Sequence, residues 1–162
     1  MSCLVICELE NGTPNRPSLA SITAASELNA DIDLLVFDPD KIEEIKKINN
    51  VKKILTFKNK LSNLVAEDLV KILKEIISNY KYILAPSGTF SKNFMPRLGA
   101  ALDLQPLSDV IKIHDKNTFD RPIYAGNAIA TVRSKDDTIM ITVRGTAFTP
   151  AKQEDGEAQV EI

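Results

Sequence analysis

The chain has 162 residues, of which 44% are hydrophobic and 26% are charged, and its formal net charge is −2. This composition is that of a globular protein with a substantial core, and it argues against a disordered or membrane-spanning chain. Acidic and basic residues are interspersed, so no face is predicted to be basic, and nucleic acid is not expected as a partner.

The N-terminus runs directly from Met1 into an apolar, strand-like segment, CLVICEL at residues 3–9. Neither a basic presequence nor an apolar signal with a small-residue cleavage site precedes it, so a bacterial cytoplasm is the expected location. Cys3 and Cys7 are the only cysteines, and His114 is the only histidine. A metal site would need more ligands, so we predict that both cysteines are small buried hydrophobes.

Strands and helices are predicted to alternate over the first 102 residues. Apolar runs bounded by turn residues predict strands at residues 2–9, 31–37, 51–57 and 82–85. Apolar residues at helical spacing, Pro17 and the predicted caps indicate helices at residues 18–28, 41–48, 64–77 (capped by Ser62 or Asn63) and up to Leu102. The last helix is predicted to be capped by Ser91 or Asn93 and to hold Pro96 in its first turn. This alternation predicts a mostly parallel sheet of right-handed βαβ units with helices on both faces.

After residue 102 the predicted elements are strands with no helix between them. They are residues 107–113, 119–125, 128–132 and 138–144. Asp136-Asp137 is predicted as a hairpin turn and Gly126-Asn127 as a second turn. Pro122 indicates that its strand lies at an edge or a bulge. We therefore expect antiparallel strands added at one edge of the parallel sheet.

Residues 149–162 are polar and acidic and show no core pattern. Such a segment is typical of a tail or linker. The predicted domain therefore comprises residues 1–148.

Few residues of the chain suggest catalysis. Neither a G-x-G-x-x-G nor a G-x-x-x-x-G-K-[ST] motif occurs. The turn Ser87, Gly88 and Thr89 follows the fourth predicted strand, where it would serve either as a helix cap or as a phosphate site. His114 stands at a strand end beside Asp115, which favours a solvent-facing residue over a catalytic base. No catalytic residue and no metal ligand is assigned.

Large amphipathic side chains gather in the last quarter of the chain, at Arg121, Tyr124, Asn127, Arg144 and Phe148. Arginine and tyrosine are enriched in protein interfaces. Composition alone does not decide between a partner interface and an ordinary hairpin whose large side chains bind no partner.

These residues lie in motifs that resemble a known family. RPIYAGNAIATV at residues 121–132 and ITVRGTAF at residues 141–148 are similar to the signature of the electron transfer flavoprotein alpha subunit, in its N-terminal domain. Three further segments follow the family's order: TAASEL (23–28), YILAPSGTFSKNFMPRLGAALDLQPLSDV (82–110) and TFDRPIYAGN (118–127). The resemblance covers residues 4–148.

The resemblance implies a Rossmann-like fold of the adenine nucleotide alpha hydrolase type, and a non-enzymatic electron carrier. It also implies that the chain forms a heterodimer with a beta subunit. The heterodimer accepts electrons from acyl-CoA dehydrogenases, as in fatty acid β-oxidation, and from other dehydrogenases. The electrons pass to a quinone oxidoreductase or another acceptor. FAD in that family is bound mainly by the alpha C-terminal domain, so no FAD contact is expected in this chain alone.

A complete alpha subunit of that family is roughly twice as long, within the range of a two-domain chain. The sequence therefore predicts a truncated subunit that ends in its linker. The residues expected to form the partner interface lie at strand ends in the two motifs at residues 121–132 and 141–148, called the hairpin motifs below. They are Arg121, Tyr124, Gly126, Asn127, Arg144, Gly145, Thr146 and Phe148. The same surface, left uncovered, predicts self-association of the isolated chain.

Two alternatives remain open on the sequence. The first is a stand-alone adenine-nucleotide-binding module of the universal-stress-protein type, with nucleotide near residues 8–11 and 87–89. The glycine-poor turns count against it. The second is a small-molecule enzyme that uses Cys7 or His114, and either residue would need a charged partner that spacing does not reveal.

Overall fold

The computed structural model describes residues 1–58 and 64–162. Its strands are β1 (Ser2–Ile6), β2 (Leu9–Glu10), β3 (Thr13–Pro14), β4 (Asp31–Phe37), β5 (Val51–Phe57), β6 (Tyr82–Pro86), β7 (Leu107–Val110), β8 (Lys112–Ile113), β9 (Thr118–Ile123), β10 (Ala128–Arg133), β11 (Ile139–Val143) and β12 (Gln159–Glu161). Its α-helices are α1 (Arg16–Ser26), α2 (Ile42–Ile45), α3 (Ala66–Ile76) and α4 (Thr89–Leu102).

A seven-stranded sheet forms the centre of the fold, in the order β12-β5-β4-β1-β6-β11-β7. Each of its strand pairs is parallel. Strand β1 is apolar without alternation because both of its faces are covered. The predicted α/β class and the parallel sheet are confirmed.

The buried side chains form two clusters, one on each face of the sheet. The first includes Cys3, Val5 and Ile22 and joins the sheet to α1. The second includes Leu4, Leu73 and other side chains of α3 and α4. Helices therefore cover both faces, as the alternation predicts.

The antiparallel strands form a sheet of their own, β10-β9-β8, rather than an added edge of the central sheet. The predicted strand 107–113 is divided, since β7 joins the central sheet and β8 joins the small one. The left-handed φ of Asp109 (61°) lies in β7, where the pairing with β11 shifts register. This break in the ladder accompanies the transfer of the chain from one sheet to the other.

The prediction of a hairpin turn at Asp136-Asp137 is wrong. Strand β10 pairs with β9, whereas β11 lies between β6 and β7 in the central sheet. Every side chain of β11 is buried, so this strand belongs in the interior rather than at an edge. Its side chains alternate between the two faces of the sheet, because Ile141 lies in the first cluster and Met140 in the second.

Helix α4 begins earlier than predicted, at Thr89, with Gly88 as the N-cap. Pro96 therefore lies inside the helix instead of in its first turn, and the predicted caps Ser91 and Asn93 are helical residues. Burial of Phe94 and Leu98 stabilises this longer helix against the missing hydrogen bond at the proline. The predicted caps of α3, Ser62 and Asn63, lie outside the described residues.

The strand predicted at residues 2–9 ends at Ile6, and a small hairpin, β2-β3, follows it. Its turn residues Asn11 and Gly12 both have left-handed φ angles, 54° and 82°. Asn-Gly is the preferred pair for such a two-residue turn, so the signal was present in the sequence.

Cys3 and Cys7 are fully buried and unpaired, which confirms their prediction as buried hydrophobes. Burial raises the pKa of the Cys7 thiol to about 12. The pKa of Cys3 is also raised, first by burial and then by the negative charge of Asp33.

In residues 1–58 and 64–162 no cluster of three or more His, Cys, Asp or Glu side chains is placed to bind a metal ion. Over the same residues, no helix combines the length and the apolar character needed to cross a membrane.

The polar segment 149–162 ends in β12, which pairs with β5 at the edge of the central sheet. Its backbone follows the chain after α2, where the Gly156 N–H donates to the Lys47 carbonyl and the Ala158 N–H to the Lys46 carbonyl, at 3.0 and 3.1 Å. Ala158 is buried. The segment thus has regular structure, and its role as a linker stays a prediction.

Substitution of Gly156 by alanine is expected to lower the free energy of unfolding by about 1–3 kcal/mol. A Cβ at this position would lie 2.2 Å from the carbonyl oxygen of Ile48, which is backbone and cannot rotate away. Denaturant unfolding measures the loss, and amide exchange at Val160 reports whether β12 detaches. The exposed neighbour Glu157→Ala is the control, and equal stability of the two variants would contradict the close packing.

Candidate functional site

A cleft of about 620 Å³ opens at the carboxyl end of the central sheet, beside β6, β11 and β7. In open α/β sheets this end is where ligands and partners bind. The sheet, the starts of α1 and α4, and strand β9 all contribute to its walls. The lining residues that carry polar or charged side chains are Arg16, Ser87, Ser91, Lys92, Ser108, Asp109, Arg121, Thr142, Arg144 and Thr146.

An arginine–carboxylate fork forms one wall of the cleft. Arg144 donates from Nε to Asp109 Oδ1 at 3.2 Å and from Nη2 to Asp109 Oδ2 at 2.5 Å. Asp109 is itself held, because its N–H donates to the Thr142 hydroxyl at 2.9 Å. The paired hydrogen bonds fix the direction of the guanidinium, since a bidentate pair has a defined geometry.

A second arginine is anchored to the neighbouring residue of β7. Arg121 donates from Nε to the Ser108 carbonyl and from Nη2 to the Ser108 hydroxyl, both at 2.9 Å. Both predicted arginines are thus oriented by adjacent residues, Ser108 and Asp109. No local signal in the sequence marks Ser108 or Asp109, because these residues meet the arginines only through tertiary packing.

The tip of the β9-β10 hairpin projects a large side chain into solvent. Tyr124 is 79% exposed, and Ile129 on β10 is 63% exposed. Tyr124, Ala125 and Gly126 have consecutive left-handed φ angles of 49°, 53° and 88°. For tyrosine and alanine this conformation is strained, and strained exposed backbone is enriched at functional sites.

The residues predicted as an interface therefore fall into three places. Arg121, Arg144, Gly145 and Thr146 line the cleft. Tyr124, Gly126 and Asn127 form the exposed hairpin tip. Phe148 is 9% exposed and belongs to the first core cluster. Their shared role as a partner interface stays a prediction.

The turn Ser87, Gly88 and Thr89 lies where β6 leads into α4. The Ser87 N–H donates to the Val143 carbonyl at 2.7 Å, so this N–H group is already paired within the sheet and is not available to a ligand. Gly88 caps α4 through its backbone only, with no side-chain hydrogen bond to the helix. Of the three residues, Ser87 lines the cleft.

His114 has a charged partner that its sequence spacing does not reveal. His114 Nε2 lies 2.8 Å from Asp120 Oδ1, and the Thr131 hydroxyl donates to the same oxygen at 2.6 Å. The Thr131 hydrogen bond, followed by that from His114, lowers the pKa of Asp120 below its usual range. The pair does not line the cleft. Cys7 is buried with a raised pKa, which leaves it without the thiolate that a nucleophile needs.

Comparison with known proteins identifies the family. The family model described as "Electron transfer flavoprotein domain" matches residues 3–162. The electron transfer flavoprotein subunit alpha of Pseudomonas aeruginosa is 38% identical, over 99% of this chain and 53% of that protein. The corresponding subunit of Paracoccus denitrificans is 39% identical, over 93% and 50%. The mitochondrial subunit of Dictyostelium discoideum is 36% identical, over 98% and 48%.

The chain thus spans about half the length of the curated relatives that it matches. The resemblance found in the hairpin motifs is confirmed, and it extends beyond the predicted boundary at residue 148 to the end of the chain. These matches do not favour the alternative of a stand-alone adenine-nucleotide-binding module.

Proposed function

The chain belongs to the electron transfer flavoprotein domain family, and we propose that it is the N-terminal scaffold domain of an alpha subunit. In this proposal it packs against a beta subunit to form an FAD-containing heterodimer. The heterodimer accepts electrons from acyl-CoA and other dehydrogenases and passes them to a quinone oxidoreductase. The observation that carries the proposal is the alignment of nearly the whole chain with about half of each alpha subunit.

FAD would be bound mainly by another part of the complete subunit. A dinucleotide pyrophosphate binds at the first βα turn through the free N–H groups of a helix N-terminus. Here the hairpin β2-β3 fills that turn, and the Asn15 side chain accepts from the Ser18 N–H at 3.0 Å as the cap of α1. The Ser18 hydroxyl in turn accepts from the Glu8 N–H at 2.9 Å. These residues do not fit a pyrophosphate, which supports placing FAD elsewhere.

When FAD is bound to the complete protein, the flavin supplies the redox chemistry. The contribution proposed for this chain is to hold the partner subunit in position, not to carry out redox chemistry. The hairpin tip around Tyr124 carries an exposed aromatic side chain that can anchor a partner. At the cleft, hydrogen bonds to Ser108 and Asp109 hold the guanidinium groups of Arg121 and Arg144 in fixed orientations. Tyrosine and arginine are among the residue types that contribute most to protein–protein binding. A cytoplasmic location and self-association of the isolated chain stay predictions.

Hydrogen exchange with and without the beta subunit of the same organism tests the proposed interface. We expect slower amide exchange at residues 121–129 and 144–147 in the mixture, because a bound partner excludes water from these backbone groups. Helix α3 is the internal control, because it packs on the face of the central sheet opposite to the one that contacts β9. Protection of α3 with no change at the hairpin would contradict the assignment.

A further inference from the structure

The cleft contains more positive than negative charge. Its charged lining residues are Arg16, Lys92, Arg121, Arg144 and Asp109. The single carboxylate is already bound by Arg144. Among the described residues, no carboxylate lies within ion-pair distance of Arg16, Lys92 or Arg121. The cleft is therefore electropositive, although the chain as a whole is slightly acidic.

Ser91 is the feature that most directly indicates a ligand. Its side chain is fully buried, it lines the cleft, and its hydroxyl has no hydrogen-bond partner. A buried hydroxyl without a partner is destabilising and calls for a physical reason. The other fully buried serines of the described chain, Ser18 and Ser21, both form hydrogen bonds. A bound acceptor in the cleft would satisfy Ser91 in the same way.

The start of α4 reinforces this preference for an anion. Ser91 and Lys92 lie in its first turn, and no side chain caps the helix, whereas Asn15 caps α1. The N-terminus of a long helix carries a partial positive charge and unpaired N–H groups. Ser87, immediately before the cap, adds a second hydroxyl to the same cleft.

We propose that this cleft binds a small phosphate-type oxyanion, either inorganic phosphate or the phosphate of an organic monoester. Ser91 and Ser87 donate hydroxyl hydrogen bonds, while Lys92 and Arg16 balance the charge. Arg121, which also lines the cleft and is oriented by Ser108, has further N–H groups that can donate to the anion. The proposal rests on the cleft alone and does not depend on the function proposed above.

Calorimetric titration of the full chain with inorganic phosphate at low ionic strength is the first test. We expect one saturable site with a Kd of about 1 mM or tighter. The affinity should fall as salt is added, because the binding is electrostatic. Ser91→Ala should weaken binding by about tenfold through the lost hydrogen bond to a charged group. The same variant should not lower the melting temperature, since the hydroxyl has no partner in the protein.

Lys92→Ala should also weaken phosphate binding by about tenfold. Lys74→Ala, an exposed lysine of α3 that does not line the cleft, is the matched control and should bind as the unaltered chain does. Unsaturable binding, or equal affinities in Ser91→Ala, Lys92→Ala and the control, would overturn the proposal.

Titrations with adenosine and its 5′-monophosphate identify the source of the oxyanion. Equal affinity for phosphate and for the monophosphate would indicate that the free ion is the ligand. Tighter binding of the monophosphate would indicate an organic ester. Equal affinity for adenosine and for its monophosphate would contradict recognition of the oxyanion.

Discussion

Phe119→Ala is expected to lower the free energy of unfolding by about 3–5 kcal/mol. Phe119 is fully buried on β9, between Ile113 of β8 and Val132 of β10. Its ring belongs to the same core cluster as Tyr82 of the central sheet. Truncation would therefore remove buried apolar surface and leave a cavity where the two sheets meet. A loss of this size is a large share of the stability of an ordinary domain.

Chemical denaturation of the Phe119 variant measures this loss. Ile129→Ala, on the adjacent strand but 63% exposed, is the matched control and should change stability by no more than about 0.5 kcal/mol. Should Phe119→Ala fail to fold, the milder Phe119→Leu still allows a measurement. Equal stability of the Phe119 and Ile129 variants would mean that the small sheet is not packed on the central one.

Tyr124→Ala is expected to weaken binding of the beta subunit by roughly 30-fold, the loss typical of an interface hot spot. Tyr124 is exposed in this chain, so its ring contributes nothing to the core and is available to a partner. The strained left-handed backbone of Tyr124 and Ala125 holds the ring at the tip of the hairpin. Stability of the isolated variant should stay within about 0.5 kcal/mol of the original.

Titration calorimetry with the beta subunit measures the effect of Tyr124→Ala, and thermal unfolding checks that the variant is folded. Glu75→Ala, exposed on the opposite face of the sheet, is the control and should not change the affinity. If the two variants bind equally well, Tyr124 is not part of the interface.

Local signals in the sequence were sufficient to predict the α/β class and the bounds of two central strands, but not the β2-β3 hairpin or the start of α4. The bounds of β4 and β5 agree with the prediction because each is an apolar run closed by turn residues, such as Asp38-Pro39 after β4. The pairing of β11 could not be predicted in this way. Alternating apolar residues describe its faces, but its neighbours are decided by long-range packing between β6 and β7.

The candidate site was predictable in residue type and not in geometry. Arg121 and Tyr124 stood out because such side chains are common at interfaces. Phe148 was selected for the same reason, yet it lies in the core, since an aromatic residue suits either environment. The sequence predicts Ser91 as a possible helix cap, whereas its unpaired hydroxyl is apparent only in the folded cleft.

The most direct test of the account is sedimentation velocity of this chain mixed with the beta subunit of its own organism. We predict a one-to-one complex that replaces any self-associated form of the chain, because both would use the surface around Tyr124. Separate sedimentation of the two proteins, with the chain shown to be folded, would contradict the role of a scaffold domain that packs against the beta subunit.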